Sequence, residues 1–188
     1  PTGTYSGDEP VWRFHHVLIR DVAYRRLLKS DRAELHETLA DWAPGDGARP
    51  ALQSDEMVAR HLEAAVGYRR DLGMRDEHTA ELALRSSRRY LASARRALDR
   101  DELLSAGTQA ARGAAIATGD ATLKAELLLI GCEAFLSAGD VAAGAPLVDE
   151  LEHVAGESLA PWAICYRCQF IAYTDPSRLP EADERLQG

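Results

Sequence analysis

The cysteines and histidines are the first residues to weigh for chemistry. Cys165-Tyr166-Arg167-Cys168 has the spacing of a redox dithiol or of half a zinc site. It falls in a stretch of helical periodicity with no second ligand pair nearby in sequence, so thiols in or beside a core are the better reading. Three cysteines, an odd number, make no disulfide framework and fit a reducing compartment. His15 and His16 are adjacent and so point to different sides, and no His-Glu-x-x-His pattern occurs. His36 has Ala40 and Ala43 one and two turns on, while His61 shares a helical stripe with Met57, Ala64 and Tyr68. For these four histidines, packing or capping outweighs metal binding or acid–base work. An enzyme built on them would need widely separated histidines and carboxylates to converge on one pocket, and nothing in the sequence brings them together.

Phosphate chemistry is excluded more firmly. The chain has two lysines, Lys29 and Lys124, and neither follows a glycine-rich loop. The expectation is a chain with no catalytic residue, cofactor or metal of its own.

Arginine is the one residue type whose spacing marks out a surface. Arg85, Arg88, Arg89, Arg95, Arg96 and Arg100 fall within an arc of about 140° on a helix turning about 100° per residue. A solvated face paired with acidic neighbours is the plain reading of such a stripe. A surface for an acidic partner is the functional one, and these six residues are the candidate partner surface. A nucleic-acid adaptor is disfavoured by the net charge of −8, since phosphate neutralisation needs a basic surface.

The elements that would carry these residues are helices. No apolar run approaches the roughly 20 residues that span a bilayer, and Pro1-Thr2-Gly3-Thr4 lacks the charged and apolar regions of a signal peptide, so a cytoplasmic location is expected. The chain begins without Met, as a segment of a longer protein would. Residues 1–10 read as a flexible lead-in. Val11-Trp12-Arg13-Phe14-His15 alternates as a half-buried strand does, and it reads as the one short strand, with no partner among the residues before it.

From His16 to Leu28 the apolar residues cover most of a helix circumference, which predicts burial between two layers, and Asp21 with Arg20 or Arg25 is expected to form an ion pair joining this helix to its neighbours. Ser30 or Asp31, with Glu34 as in a capping box, predicts a second helix with Leu35, Leu39 and Trp42 inward, stopping at Pro44-Gly45. A loop over Gly45–Gln53 follows. Ser54 then caps a third helix with Val58, Leu62, Ala65 and Leu72 inward, and Gly73 ends it. Beyond Asp76 a long helix carries two seams, Leu84/Ser87/Leu91/Ala94/Leu98 and Ala80/Ala83/Ser87/Tyr90/Ala94/Ala97, so it should pack on two sides. Helices over 102–118, 121–138, 141–155 and 159–173 follow, parted by Gly119-Asp120, Gly139-Asp140 and Gly156. The tail after Asp175 reads as frayed or as the start of a further helix.

Arg100-Asp101 and Gly139-Asp140 each fall between two helices and lie about one repeat apart, slightly longer than the ~34 residues of a tetratricopeptide unit. Leu129, Gly131, Ala134, Leu136 and Leu147 follow the small-and-large pattern of such helix pairs, with Gly144 where Ala is usual and Arg100 where Gly is usual. The expected fold is all-α: a right-handed stack of antiparallel, tetratricopeptide-like helix pairs over residues 74–175, with one short N-terminal strand and a tail over 176–188.

Trp12-Arg13-Phe14-His15-His16-Val17-Leu18-Ile19-Arg20-Asp21-Val22-Ala23-Tyr24, with Arg32-Ala33-Glu34-Leu35-His36 and Ala40-Asp41-Trp42, resembles the stretch after the ATPase module of bacterial STAND-type signalling ATPases. Those include adenylate/guanylate cyclase-like proteins and LuxR-type regulators. Asp55-Glu56-Met57-Val58, His61-Leu62-Glu63 and Tyr68-Arg69-Arg70-Asp71-Leu72-Gly73 continue the likeness, which covers roughly residues 11–150. It implies that residues 11–73 are a helical linker after a winged-helix element, leading into a tetratricopeptide sensor array. The expected role is then non-catalytic: a regulatory module whose partner is a protein or peptide, the parent's own ATPase module included, or a small effector, with neither nucleic acid nor membrane.

Overall fold

The computed structural model describes residues 2–6, 9–13, 16–42, 54–181 and 184. The fold is all-α apart from an N-terminal β-ribbon, and it divides into two compact units, residues 1–82 and 83–188.

In the ribbon, β1 (Thr2–Ser6) pairs antiparallel with β2 (Glu9–Arg13), Thr4 opposite Val11. The strand expected at Val11–His15 thus starts earlier and finds its partner inside the supposed flexible lead-in. Phe14 and His15 lie outside the described residues, as do residues 43–53, where the Pro44-Gly45 stop and the loop over Gly45–Gln53 are expected.

The first unit continues with α1 (Val17–Arg26), α2 (Lys29–Asp41), α3 (Asp55–Asp71) and the opening of α4 (Glu77–Asp99). His16 caps α1, its Nδ1 accepting from the Leu18 N–H at 3.2 Å. Ser54 caps α3 through Met57 N–H, and Asp76 caps α4 by accepting from both Thr79 N–H and Thr79 Oγ1–H. The carboxyl of Asp76 is held far below the ordinary range by these Thr79 bonds and by Arg69. Gly73, at φ +79°, closes α3 as expected, with Met74 N–H bonded to Arg69 O.

Several expectations for this unit fail. α1 has no buried residue: Val17, Leu18, Ile19 and Val22 are 54 % to 63 % exposed, because among the described residues no second layer covers that side. Asp21 pairs with its own neighbour Arg20 on the surface at 2.8 Å, so the ion pair joins α1 to nothing. α2 starts at Lys29 after an extended Leu28 without a side-chain cap, and Leu35, Leu39 and Trp42 face outward, 46 % to 52 % exposed. The inward face of α2 is the smaller one, Ala33 with His36, Glu37 and Ala40, which lets α3 approach with Ala59, Leu62, Ala65 and Val66 buried. On α3, Val58 is half-buried and Leu72 is exposed.

The second unit holds the rest of α4, then α5 (Leu103–Ile116), α6 (Ala121–Ser137), α7 (Val141–Val154), α8 (Ala160–Thr174) and a 3-10 turn at Pro176–Arg178. Successive helices pack as antiparallel pairs across short turns, as a helical repeat does. The Gly-Asp turns divide their work: Gly119 (φ +83°) and Gly139 (φ +75°) turn the chain, and Asp120 and Asp140 cap the next helix by accepting from Leu123 and Ala143 N–H. Between α4 and α5 the left-handed residue is Asp101, at φ +60°, so the comparison of Arg100 with the usual Gly was one residue off.

Both seams of α4 are largely buried, Ala83, Ser87, Tyr90, Leu91, Ala94 and Ala97 among them, while Ala80 is exposed. Ser87 Oγ donates within α4 to Ala83 O and reaches Gly113 O of α5, both at 3.0 Å. The glycines of α5 to α7 are sockets for large side chains. A Cβ on Gly107 would stand 2.8 Å from the Phe135 ring, one on Gly113 2.8 Å from Leu127 and 2.9 Å from Tyr90 Cβ, and one on Gly131 2.5 Å from Leu147. Gly144 likewise receives Phe170 of α8. What reads in sequence as a helix thin in large apolar residues is a surface that receives them from its neighbours.

Candidate functional site

The cluster with the most chemistry in the first unit lies where α1, α2 and α3 meet. Each helix sends one or two titratable side chains to it. On α2, Arg32 and His36 stand one turn apart; on α3, His61 and Tyr68 stand two turns apart; Tyr24 comes from the last turns of α1.

Their polar atoms form one chain. Tyr68 Oη lies 3.0 Å from Tyr24 Oη, Tyr24 Oη lies 2.7 Å from His36 Nε2, and His36 Nδ1 lies 2.9 Å from His61 Nδ1. The Arg32 guanidinium covers the Tyr24 and Tyr68 rings, 5.0 Å and 5.5 Å from their centroids. It also donates to two backbone carbonyls at the end of α1, Nε to Tyr24 O at 3.1 Å and an Nη to Arg25 O at 2.8 Å. Tyr24 O also accepts from Leu27 N–H at 3.2 Å, and because α1 ends at Arg26 these last carbonyls let a cation from α2 cap the helix.

Electrostatics polarise the chain. Burial, then the Tyr68 hydroxyl, push the Tyr24 phenol up to about 12, while the bond from Tyr24 and the nearby Arg32 bring Tyr68 down. In the bond between the two phenols either oxygen can be the donor. His36 is lowered by burial and by His61, and His61 by burial and by Arg60, so both rings favour the neutral form.

In sequence His36 and His61 read as structural residues on separate helices, with nothing to bring them together. The available signal was the stripe on α3 that joins His61 to Tyr68, together with Ala33 and Ala40 flanking His36 on a face of α2 too small to be idle. Tyr24, Arg32 and Tyr68 were missed as members. No carboxylate joins the cluster among the atoms just described: Glu37, next along α2, meets His78 Nε2 at 2.9 Å, and Asp71 of α3 meets Lys29 at 2.9 Å. Among the described residues, no three His, Cys, Asp or Glu side chains are placed to hold a metal.

A separate hollow of the first unit, about 240 Å³ and lined in part by Ser30, Glu34, Arg69 and Met74, is smaller than the ~300 Å³ at which ligand pockets begin.

In the second unit five of the six arginines lie along α4 and Arg100 follows its last residue; Arg85 is half-buried and the others are exposed. Arg95 reaches Glu126 at 3.1 Å, Arg100 reaches Glu102 at 2.8 Å, Arg88 lies 3.9 Å from Asp120, and Arg85, Arg89 and Arg96 are engaged as well. Cys132 and Cys168 are buried free thiols, and burial drives Cys132 up to about 12; Cys165 is half-buried. Arg167, between the two cysteines of the motif, is taken by Asp149 and Glu152 of α7.

No family model, curated protein or solved structure matches this chain. Among the described residues, no helix is long and apolar enough to cross a membrane.

Proposed function

We propose that the chain is a non-catalytic interaction and regulatory module, the helical part of a multidomain signal-transduction ATPase or of a related transcriptional regulator or nucleotide cyclase. The observation that carries this reading is the apolar surface of α1 and α2, where Val17, Leu18, Ile19, Val22, Leu28, Leu35, Leu39 and Trp42 are all substantially exposed. Single exposed apolar residues are ordinary, but eight large ones on two successive short helices are what a docking surface looks like before its partner arrives. The resemblance of residues 11–73 to the segment after a signalling ATPase module supplies the candidate partner, that module. A cytoplasmic setting fits the three free cysteines.

The test is capture on the tagged chain, from native lysate and with the parent's ATPase module supplied separately. Leu18→Asp with Val22→Asp alters the apolar surface, and Arg89→Glu with Arg96→Glu alters the arginine stripe. Binding lost only in the first pair supports docking on α1. Binding lost only in the second moves the surface to α4, and no binding by any form sinks the reading.

The rival enzymatic reading gains one observation, the convergence of His36 and His61 beside two phenols. Turnover abolished by His61→Asn would favour it.

A further inference from the structure

The hydrogen bonds that carry α1 to α2 and α3 run through two side chains, Tyr24 and Arg32. With none of its residues buried, α1 draws little from the hydrophobic effect on this contact, so those bonds decide whether it stays.

The bond between the two rings limits their protons. His36 Nδ1 and His61 Nδ1 lie 2.9 Å apart, so one of them carries a hydrogen and the other accepts it. Either ring can be the donor, and the Tyr24 hydroxyl either accepts from His36 Nε2–H and donates to Tyr68 or accepts from Tyr68 and donates to His36 Nε2. In both arrangements a pair of neutral rings keeps all three bonds. In a second state, with both rings protonated, both Nδ1 atoms carry hydrogen and face each other donor to donor.

The charges around the pair make that second state worse. Arg32 of α2 and Arg60 of α3 add positive charge. Four acids of the three helices pair with other groups: Asp21 of α1 with Arg20, Glu37 of α2 with His78, and Asp71 and Glu56 of α3 with Lys29 and Arg60. Asp31 of α2 accepts from Ser30, and Asp41, Asp55 and Glu63 are engaged as well. Two imidazolium rings at hydrogen-bond distance must separate, and the Tyr24 contact goes with His36.

We propose that Tyr24, His36, His61 and Tyr68 form a proton-operated latch that holds α1 on α2 and α3 near neutral pH and releases it in mild acid. The sign follows from linkage. A histidine whose value is lower in the latched than in the released state costs nothing when both states are neutral. The released state gains as pH falls below the ordinary histidine value of about 6.5, and the effect levels off once the lowered values are passed. The latch is a property of the first unit and holds whether or not α1 docks a partner.

Amide hydrogen exchange of the whole chain at neutral pH and at about pH 5, each rate divided by the intrinsic rate at that pH, tests it. The expected result is loss of protection over residues 17–26 by about tenfold or more in acid, with α5 to α7 unchanged. In Tyr24→Phe, α1 should exchange at the acid rate already at neutral pH and show no further response. Wild-type protection that is the same at both pH values overturns the latch, and so does a Tyr24→Phe variant that behaves as wild type at neutral pH or keeps the full acid response. Should Tyr24→Phe lose the fold of the first unit, His61→Asn replaces it, since its amide can still hydrogen-bond to His36 Nδ1 but cannot titrate. Its response must shrink or move to lower pH, and an unaltered response refutes the proposal.

Discussion

The two units hold their helices by opposite means. In residues 83–188, α5 to α8 interlock by placing a large side chain over a glycine of the neighbouring helix: Phe135 on Gly107, Leu127 on Gly113, Leu147 on Gly131 and Phe170 on Gly144. In residues 1–82, α1 is held by two phenols, two imidazoles and a guanidinium while its aliphatic side chains stay outside. Close apolar packing has no pH dependence and opens only with the fold. A hydrogen-bonded latch is worth a few bonds, each about 1 kcal/mol net, and can open by itself. The first arrangement suits a scaffold, the second a moving part.

The contrast breaks most severely at Leu127, which is fully buried at the centre of the second unit. Leu127→Asp places a carboxylate there without a partner, at a cost on the order of 5 kcal/mol, comparable with the whole stability of a modest domain. Loss of cooperative melting by circular dichroism is the expected outcome. A cooperative transition near the wild-type temperature would remove Leu127 from the core.

Gly113→Ala separates packing from propensity. An alanine in an exposed helix interior gains about 1 kcal/mol over glycine. Here its Cβ meets Tyr90 Cβ at 2.9 Å as well as the Leu127 side chain, and Tyr90 Cβ cannot swing away. The net change should be a loss of about 1–3 kcal/mol, read as a lower denaturant midpoint at unchanged slope. A gain would mean that α4 and α6 give way and the socket is not tight.

Much of this was legible in the sequence where a local rule decides the outcome. Ser54 and Gly73 bound the third helix, Gly119-Asp120 and Gly139-Asp140 mark turn and cap, and the α4 seams fall on buried positions, because caps and 3.6-residue periodicity act over one or two turns. What failed depends on which neighbour is present. The apolar circumference of α1 reads as burial, yet burial needs a second layer that one helix cannot specify. Leu35, Leu39 and Trp42 outweigh Ala33 and Ala40 on any hydrophobicity count, but α3 chose the small face, where helices come closest. The Gly7-Asp8 pair between the two strands is a hairpin signal that the alternation of Val11–His15 alone does not carry. The candidate site was the least legible part. His36 and His61 were singled out residue by residue, but their meeting depends on the placement of α2 on α3, which no stripe encodes alone.

A smaller effect is expected at Arg32, which caps α1 while covering both phenols. Arg32→Leu keeps the aliphatic stem and removes the donors to Tyr24 O and Arg25 O. Losing that cap should cost α1 about 1 kcal/mol, seen as faster exchange over 17–26 and earlier proteolytic cleavage there, with no change in the melting of the second unit. If both units lose stability together, Arg32 is not a local cap and the contrast between them weakens.

The smallest change is expected in the α4–α5 turn. Of the three turns closed by a bond from the residue after the left-handed position back across the helix end, two use glycine, Gly73 and Gly139, and the α4–α5 turn uses Asp101 at φ +60°, with Glu102 N–H bonded to Ala97 O. A residue with a Cβ in that region is strained by about 1 kcal/mol or more, though aspartate bears it better than most. Asp101→Gly removes the strain but loosens the unfolded chain, so the gain should be near 0.5 kcal/mol, detectable as a small rise in denaturant midpoint. The sign is informative because it compares the turns directly. A rise makes the α4–α5 turn the same device as the one at Gly139, with the repeat imposing a conformation that its own residue resists. A fall would mean that the Asp101 side chain contributes more than its backbone costs, and that this turn is held by contacts the glycine turns do not need.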